Sequence, residues 1–193
     1  VIQQIEFCNI ILINKASEVT PEELGKVKAI IRTLQPHAQI LECDYGNIDL
    51  DKIINTHLFD FDKVATSAAW IAAIEEDVDI ENEESGEALE YNIQTFVYQR
   101  RKALDLGLFD DFVARKWPKN VIRCKGICYF GDEKDMCYVF EQAGKQVQIR
   151  DAGQWYATMP AEELKKMMDE NPGLRRDWDE KYGDRMQKLV FIG

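Results

Sequence analysis

"NIILINKASEV", residues 9–19, decides how the first half of the chain is read. Its apolar part, NIILI at 9–13, is a continuous isoleucine-rich run that suits a strand buried on both faces, as in a parallel sheet. Asn14 and Lys15 end the run, and helix signals come at once. Thr20 can cap, Pro21 takes the first helical position, and Glu23 completes a capping box. Leu24, Val27, Ile30, Ile31 and Leu34 then share one helical face, with Pro36 just past the end. "AQILEC" (38–43) reads as a second short strand and "DLDKIIN" (49–55) as a second short helix. Strand, helix, strand, helix with short loops is half of an α/β layer with a parallel sheet. Two strands alone leave open edges and helix faces with nothing to cover them.

A further helical pattern runs through residues 62–76, with Val64, Ala68, Ile71 and Ile74 roughly periodic. Composition then shifts. "EEDVDIENEESGEALE", residues 75–90, holds nine carboxylates and no Lys or Arg, the signature of a solvated linker, and the domain boundary is placed there. From Tyr91 the pattern is rich in strands. "YNIQTFVYQR" is one. "LDLGLFDDFVARK" is helical with Leu104, Leu108 and Phe112 in register, ending before Trp117-Pro118. "VIRCKGICYF" alternates, with Ile122, Cys124, Cys128 and Phe130 on one face and Arg123 and Lys125 on the other. "MCYVFEQ" returns after the turn "GDEKD", "AGKQ" turns again into "VQIRDAGQWYA", a helix starts near Pro160, and "KLVFI" closes the chain. Consecutive strands joined by tight turns imply an antiparallel sheet with helices on one side, an α+β domain.

Composition limits the function classes. The 193 residues are 46% hydrophobic, enough for one domain or two small ones. A net charge of −11 argues against nucleic acid and against an anionic membrane surface, since both are held by clustered Lys and Arg. No run approaches the ~18 apolar residues of a membrane span. The five cysteines, an odd and scattered set, read as reduced thiols in the cytoplasm rather than a disulfide framework. The chain opens on Val1 inside what reads as a structured element and closes on Gly193 after an apolar run, so a piece of something longer is expected.

Asn-Lys after a strand has a chemical rationale in base recognition. The Asn amide can donate to the acceptor edge of guanine and tie neighbouring loops together, and the Lys stem can lie along the base plane with its ammonium in water. By spacing alone, a strand end followed by a polar turn explains the pair better. Metal ligation finds little support. Cys124 and Cys128 share a strand face ~13 Å apart at ~3.3 Å per residue, too far for one Zn²⁺ with Zn–S bonds near ~2.3 Å. Cys137, on the next strand, could approach one of them. Buried thiols acting as small hydrophobes account for all three. Arg123 and Lys125, beside Ile127 and Tyr129, form a half-polar sheet face that would suit a protein partner.

The segments "QIEFCNIILINKASEVTPEEL", "DYGNIDLDKIINTHLFDFD", "YNIQTFVYQRR", "RCKGICYF" and "GDRMQKLVFIG", in that order through nearly the whole chain, resemble the CobW-like GTPases. These are the cobalamin-synthesis and metal-chaperone branch of the P-loop GTPases that also holds the hydrogenase and urease nickel-insertion proteins. The resemblance implies an α/β partial P-loop GTPase domain over 1–74, an acidic linker over 75–90 and an α+β C-terminal domain over 91–193. Such proteins begin with a Gly-x-x-x-x-Gly-Lys-Ser/Thr phosphate loop, Mg²⁺-binding segments and a Cys-rich metal motif, none of which occurs in these residues. The chain alone is therefore expected to be catalytically dead, with no catalytic residue and no metal site of its own.

By the same resemblance the nucleotide-binding residues are Asn14, Lys15 and Ser17, with Cys43 and Asp44 lining the base from the loop after the second strand. The family places Asp at the fourth position of the Asn-Lys loop, where Ser17 stands, which puts GTP-over-ATP preference in doubt. On these grounds Ser17→Asp should raise GTP affinity, and Glu18 is the neighbouring carboxylate that a loop movement could bring in. The implied cofactors are GTP and Mg²⁺ in the parent protein, with Zn²⁺ or Co²⁺ as cargo. The implied partner is a client metalloprotein, recognised by the C-terminal domain or reached through nucleotide-state coupling, and homo-oligomerisation stays open. The alternative is a non-enzymatic interaction module in which Ser17 marks a lost base site.

Overall fold

The computed structural model describes residues 2–58 and 91–193, so the helix read at 62–76 and the acidic run at 75–90 lie outside the described residues. The chain divides into two compact units, Val1–Thr95 with Ile192–Gly193, and Phe96–Phe191.

The first unit contains α1 (Ile2–Glu6), β1 (Ile10–Asn14), α2 (Pro21–Leu34) and β2 (Gln39–Cys43). β1 and β2 pair in parallel, from Ile10 opposite Gln39 to Asn14 opposite Cys43. α2 starts where its capping box dictates. Thr20 Oγ1 accepts from the Glu23 backbone N–H at 3.2 Å, and Glu23 Oε2 accepts from the Thr20 N–H at 2.9 Å. That backbone bond, with a second from the Thr20 hydroxyl, holds the Glu23 carboxyl below its ordinary range. The helix buries Ala29, Ile31 and Leu34, while Val27 of the expected stripe is 43% exposed. At the helix end, buried Gln35 donates through Nε2 to the Glu6 carbonyl at 2.9 Å. The expected burial of β1 on both faces is not met, because Leu12 is 41% exposed and its neighbours are half-buried or exposed. Among the described residues this sheet has two strands, too few to cover its middle strand positions. "DLDKIIN" forms one 3-10 turn, Leu50–Lys52, N-capped by Asp49, in place of the expected helix.

The second unit is built on β3 (Thr95–Arg100), α3 (Leu106–Asp111), β4 (Arg123–Cys128), β5 (Met136–Ala143), β6 (Gln146–Gln154), α4 (Ala161–Glu170), α5 (Pro172–Arg176) and β7 (Gln187–Ile192). The strands make one five-stranded sheet in the order β3-β7-β4-β5-β6. The β4-β5-β6 meander is antiparallel, as the tight turns require. β7 comes from the far end of the chain and inserts between β3 and β4. That central place explains why all but one of its residues are buried.

One sheet face carries Cys124, Cys128, Phe130, Phe140 and Leu189, with Leu104, Phe109, Val113 and Trp117 packed against them. The Phe109 ring meets Phe130 and Phe140 edge-on, with centroids 5.6 and 5.2 Å away. The expected helical register of Leu104, Leu108 and Phe112 is therefore wrong. Asp105 caps the helix by accepting from the Leu108 N–H at 2.9 Å, so Leu104 precedes the helix and Leu108 points out, 73% exposed. The inward stripe is Phe109, Val113 and Trp117, carried on by a π-helical turn at Phe112–Lys116.

The opposite face corrects another expectation. Arg123 and Lys125 do not form an open docking face, since they are 1% and 9% exposed. Both point at buried Glu141, at 3.7 and 3.2 Å, and Arg150 pairs with the same carboxylate. Strand register causes this, because Lys125 lies directly across from Glu141 and Arg123 two residues along the same face. Nearby, Tyr129, Cys137 and Trp155 form a second small cluster.

Candidate functional site

β1 and β2 run parallel and in register, so their C-terminal ends deliver Asn14 and Cys43 side by side. Each strand runs into a tight, unusual turn. After β1, Lys15 adopts the left-handed conformation (φ 61°, ψ 37°), and Ala16–Glu18 make a 3-10 turn. After β2, Tyr45 (φ 52°) and Gly46 (φ 71°) are both left-handed, and the Asn47 N–H donates to the Asp44 carbonyl at 2.9 Å. Two central residues at positive φ are the mark of a type I′ turn, which explains the glycine.

Asn14 ties these turns together. Its Oδ1 accepts from the Lys15 N–H at 3.0 Å and from the Gly46 N–H at 3.1 Å, with the Cys43 thiol at 3.7 Å. Three donors on one oxygen fix which way the amide faces, and its NH₂ is left to donate elsewhere. A second tie joins Ser17 to Asp44. Asp44 Oδ1 accepts from the Ser17 N–H at 3.0 Å and from the Ser17 hydroxyl at 2.9 Å. Lys15 extends over this floor, its Nζ 3.8 Å from Glu18 and 5.9 Å from the centre of the Tyr45 ring. Tyr45 is 76% exposed and donates from its hydroxyl to Glu18 Oε1 at 2.6 Å. That bond holds its phenol above the ordinary range.

All five sequence-expected residues, Asn14, Lys15, Ser17, Cys43 and Asp44, thus meet in one loop pair. Cys43 is buried and lies behind the others. Sequence reasoning missed Gly46 and Tyr45, whose signal was the "DYG" turn directly after a strand. Glu18 does not approach the Ser17 position as a replacement carboxylate, being engaged with Tyr45 and Lys15. An exposed patch with one amide NH₂ group, one carboxylate edge and a flat aliphatic stem suits a planar heteroaromatic base.

No group of three or more His, Cys, Asp or Glu is placed to hold a metal ion among the described residues. Cys124 and Cys128 belong to one sheet face and Cys137 to the other. Burial pushes all three thiols up, Cys128 and Cys137 to about 12 and Cys124 in the same direction, which disfavours the thiolate that a metal ligand requires. Titration of reduced protein with Zn²⁺ against a competing chelator is expected to detect no stoichiometric site in residues 91–193. A site that disappears in Cys124→Ala or Cys137→Ala would overturn this. No helix among the described residues is long and apolar enough to cross a membrane.

Residues 93–193 match the family described as the cobalamin synthesis protein cobW C-terminal domain. Over 194 aligned residues the chain is 28% identical to "Zinc-regulated GTPase metalloprotein activator 1" of Dictyostelium discoideum, covering 100% of this chain and 39% of that protein. The chain thus spans about two fifths of that relative's length. Two solved structures are also similar, the Zn(II)-bound YjiA GTPase from E. coli and a Zn(II)-bound triple mutant of YjiA. They share 14% and 15% identity, with all of this chain matched to 49% of theirs at TM-scores of 0.38 and 0.37.

Proposed function

The chain belongs to the cobalamin synthesis protein cobW C-terminal domain family, and from that premise we propose that it is the later portion of a GTP-dependent metallochaperone. On this reading residues 1–74 are the base-recognising end of a P-loop GTPase domain, 75–90 an acidic linker and 91–193 the C-terminal domain. The parent protein, placed in the cytoplasm, binds GTP with Mg²⁺ and delivers Zn²⁺ or a similar ion such as Co²⁺ to a client metalloprotein. The name of the Dictyostelium relative supports zinc and a metalloprotein client as the class. The C-terminal domain serves client recognition or nucleotide-state coupling.

The observation that carries this reading is the Asn14 side chain, which holds the Lys15 and Gly46 N–H groups on one oxygen and keeps its NH₂ group for a ligand. Asn14, Lys15, Ser17, Cys43 and Asp44 are the proposed nucleotide-binding residues. The alternative, a non-enzymatic interaction module, drew its support from the missing carboxylate at residue 17. The Asp44 carboxylate bonded to Ser17 supports the first reading instead, because it brings a carboxylate beside that position.

The test is nucleotide titration of the full-length protein. Asn14→Ala removes one base contact and the tie between the two turns, each hydrogen bond contributing about 1 kcal/mol. Guanine-nucleotide affinity is expected to fall by roughly tenfold or more, with adenine-nucleotide affinity little changed. Unchanged guanine-nucleotide binding in Asn14→Ala would sink the reading.

A further inference from the structure

We propose that Asp44, from the turn after β2, is the residue that reads guanine in this protein, in place of a carboxylate at residue 17. The inference rests on the nucleotide-loop reading and adds to it the group that sets base selectivity.

Ser17 aims both of its donors, the backbone N–H and the hydroxyl, at a single oxygen, Oδ1 of Asp44. A serine in a loop meant only to close the chain has no need to orient a carboxylate from 27 residues away. Two donors on Oδ1 fix the carboxylate plane and leave Oδ2 to accept from a ligand. Register places it correctly too, because Asp44 follows Cys43, the partner of Asn14 across the parallel ladder. One edge of the patch therefore offers the Asn14 NH₂ group as donor, and a neighbouring edge offers Asp44 Oδ2 as acceptor.

Guanine presents a ring N–H and an exocyclic amino group side by side, two donors that match one anionic acceptor. Adenine presents a bare ring nitrogen there, whose lone pair a carboxylate repels. Charge-assisted hydrogen bonds are about twice as strong as neutral ones, so this contact decides between bases. The same geometry reverses the expectation for Ser17→Asp. A second carboxylate would stand ~3 Å from Asp44, where like charges disfavour one another's ionised form, and the hydroxyl donor that orients Asp44 would be lost.

The experiment compares Asp44→Asn, Ser17→Asp and Asn14→Ala with wild type in the full-length protein, titrated with the diphosphates of guanosine, inosine, xanthosine and adenosine. Asp44→Asn keeps the Oδ1 acceptor for Ser17 and the shape of the turn, so the fold is preserved. Its expected result is a roughly 10–100-fold loss of guanosine diphosphate affinity, on the scale of a charged hydrogen bond. Xanthosine diphosphate affinity should rise, because the new amide NH₂ group can donate to the 2-oxo group. Preference for guanosine over inosine diphosphate should shrink in the same variant, a change that a purely structural role for Asp44 does not produce. Ser17→Asp should lower guanosine diphosphate affinity. If Asp44→Asn leaves the guanosine-to-xanthosine ratio unchanged while Asn14→Ala still weakens guanosine diphosphate binding, the loop reads the base without Asp44 and the inference is wrong. A gain of guanosine diphosphate affinity in Ser17→Asp overturns it as well. If neither Asp44→Asn nor Asn14→Ala changes nucleotide binding, the loop reading itself fails together with the inference.

Discussion

Gly126→Ala is expected to lower the stability of the second unit by about 3 kcal/mol, the upper end of the cost of overpacking a core. Gly126 sits in β4 beside β7, and a Cβ built there would lie 2.0 Å from the Lys188 carbonyl oxygen. It would also lie 2.9 Å from the Leu189 Cα and from the Lys188 carbonyl carbon. All three are backbone atoms, so no side-chain rotation relieves the clash. Relief requires moving β7, which is central in the sheet and hydrogen-bonded on both edges. Urea unfolding of wild type and mutant measures the effect. Gly144→Ala is the control: it lies in the β5-β6 turn at φ +58° with nothing within 4 Å of its added Cβ, so only the left-handed penalty of about 1–2 kcal/mol applies. A Gly126→Ala midpoint equal to that of Gly144→Ala would show that the two strands are not held at this separation.

This glycine also shows where sequence reading stops. The alternation Ile122, Cys124, Cys128, Phe130 predicts one shared face, and the structure gathers Cys124, Cys128 and Phe130 in one cluster, with Val121 rather than Ile122 packed against it. Periodicity reports a strand's own two faces. It carries nothing about which strand lies alongside, so the insertion of β7 between β3 and β4 was invisible. The helix after β3 failed for a related reason. Leu104, Leu108 and Phe112 satisfy helical spacing as well as Phe109, Val113 and Trp117 do. The choice between stripes depends on where Asp105 starts the helix and on the π-turn that prolongs it. By contrast, α2 was legible almost to the residue, because its start is set by a local bond pair between Thr20 and Glu23.

The candidate site was legible as a set of residues and illegible as chemistry. Asn14 and Lys15 announced themselves by ending an apolar run, and Asp44 by coming directly after the next one. That Ser17 and Asp44 are partners could not be read from positions 27 apart. It depends on the parallel register of β1 and β2, which no local pattern encodes. Ser17 therefore read as a loss, although its neighbour in space, Asp44, accepts from both its backbone N–H and its hydroxyl. The Arg123 and Lys125 face misled in the opposite direction. Charged residues alternating with apolar ones normally mean solvent, and here they mean a buried ion cluster.

That cluster yields the second large effect. Glu141→Gln is expected to destabilise the second unit by about 3–5 kcal/mol, the usual result of removing one partner of a buried ion pair. Arg123 and Glu141 have side chains 1% and 4% exposed, and Lys125 is 11% exposed, so water cannot screen the charges that converge on this carboxylate. Neutralising it withdraws the charged carboxylate that the guanidinium and the ammonium share. Glutamine keeps the volume and one acceptor oxygen, so a cavity cannot account for the loss. Arg150 approaches the same carboxylate from an edge where it is 54% exposed, and Arg150→Ala should cost no more than about 1 kcal/mol. Denaturant midpoints for both variants at low and high salt separate the two arms, because added salt weakens the exposed Arg150 contact and spares the buried pair. If Glu141→Gln proves as mild as Arg150→Ala, the buried charges do not depend on Glu141, and the register of Lys125 against Glu141 is not what holds this face of the sheet together.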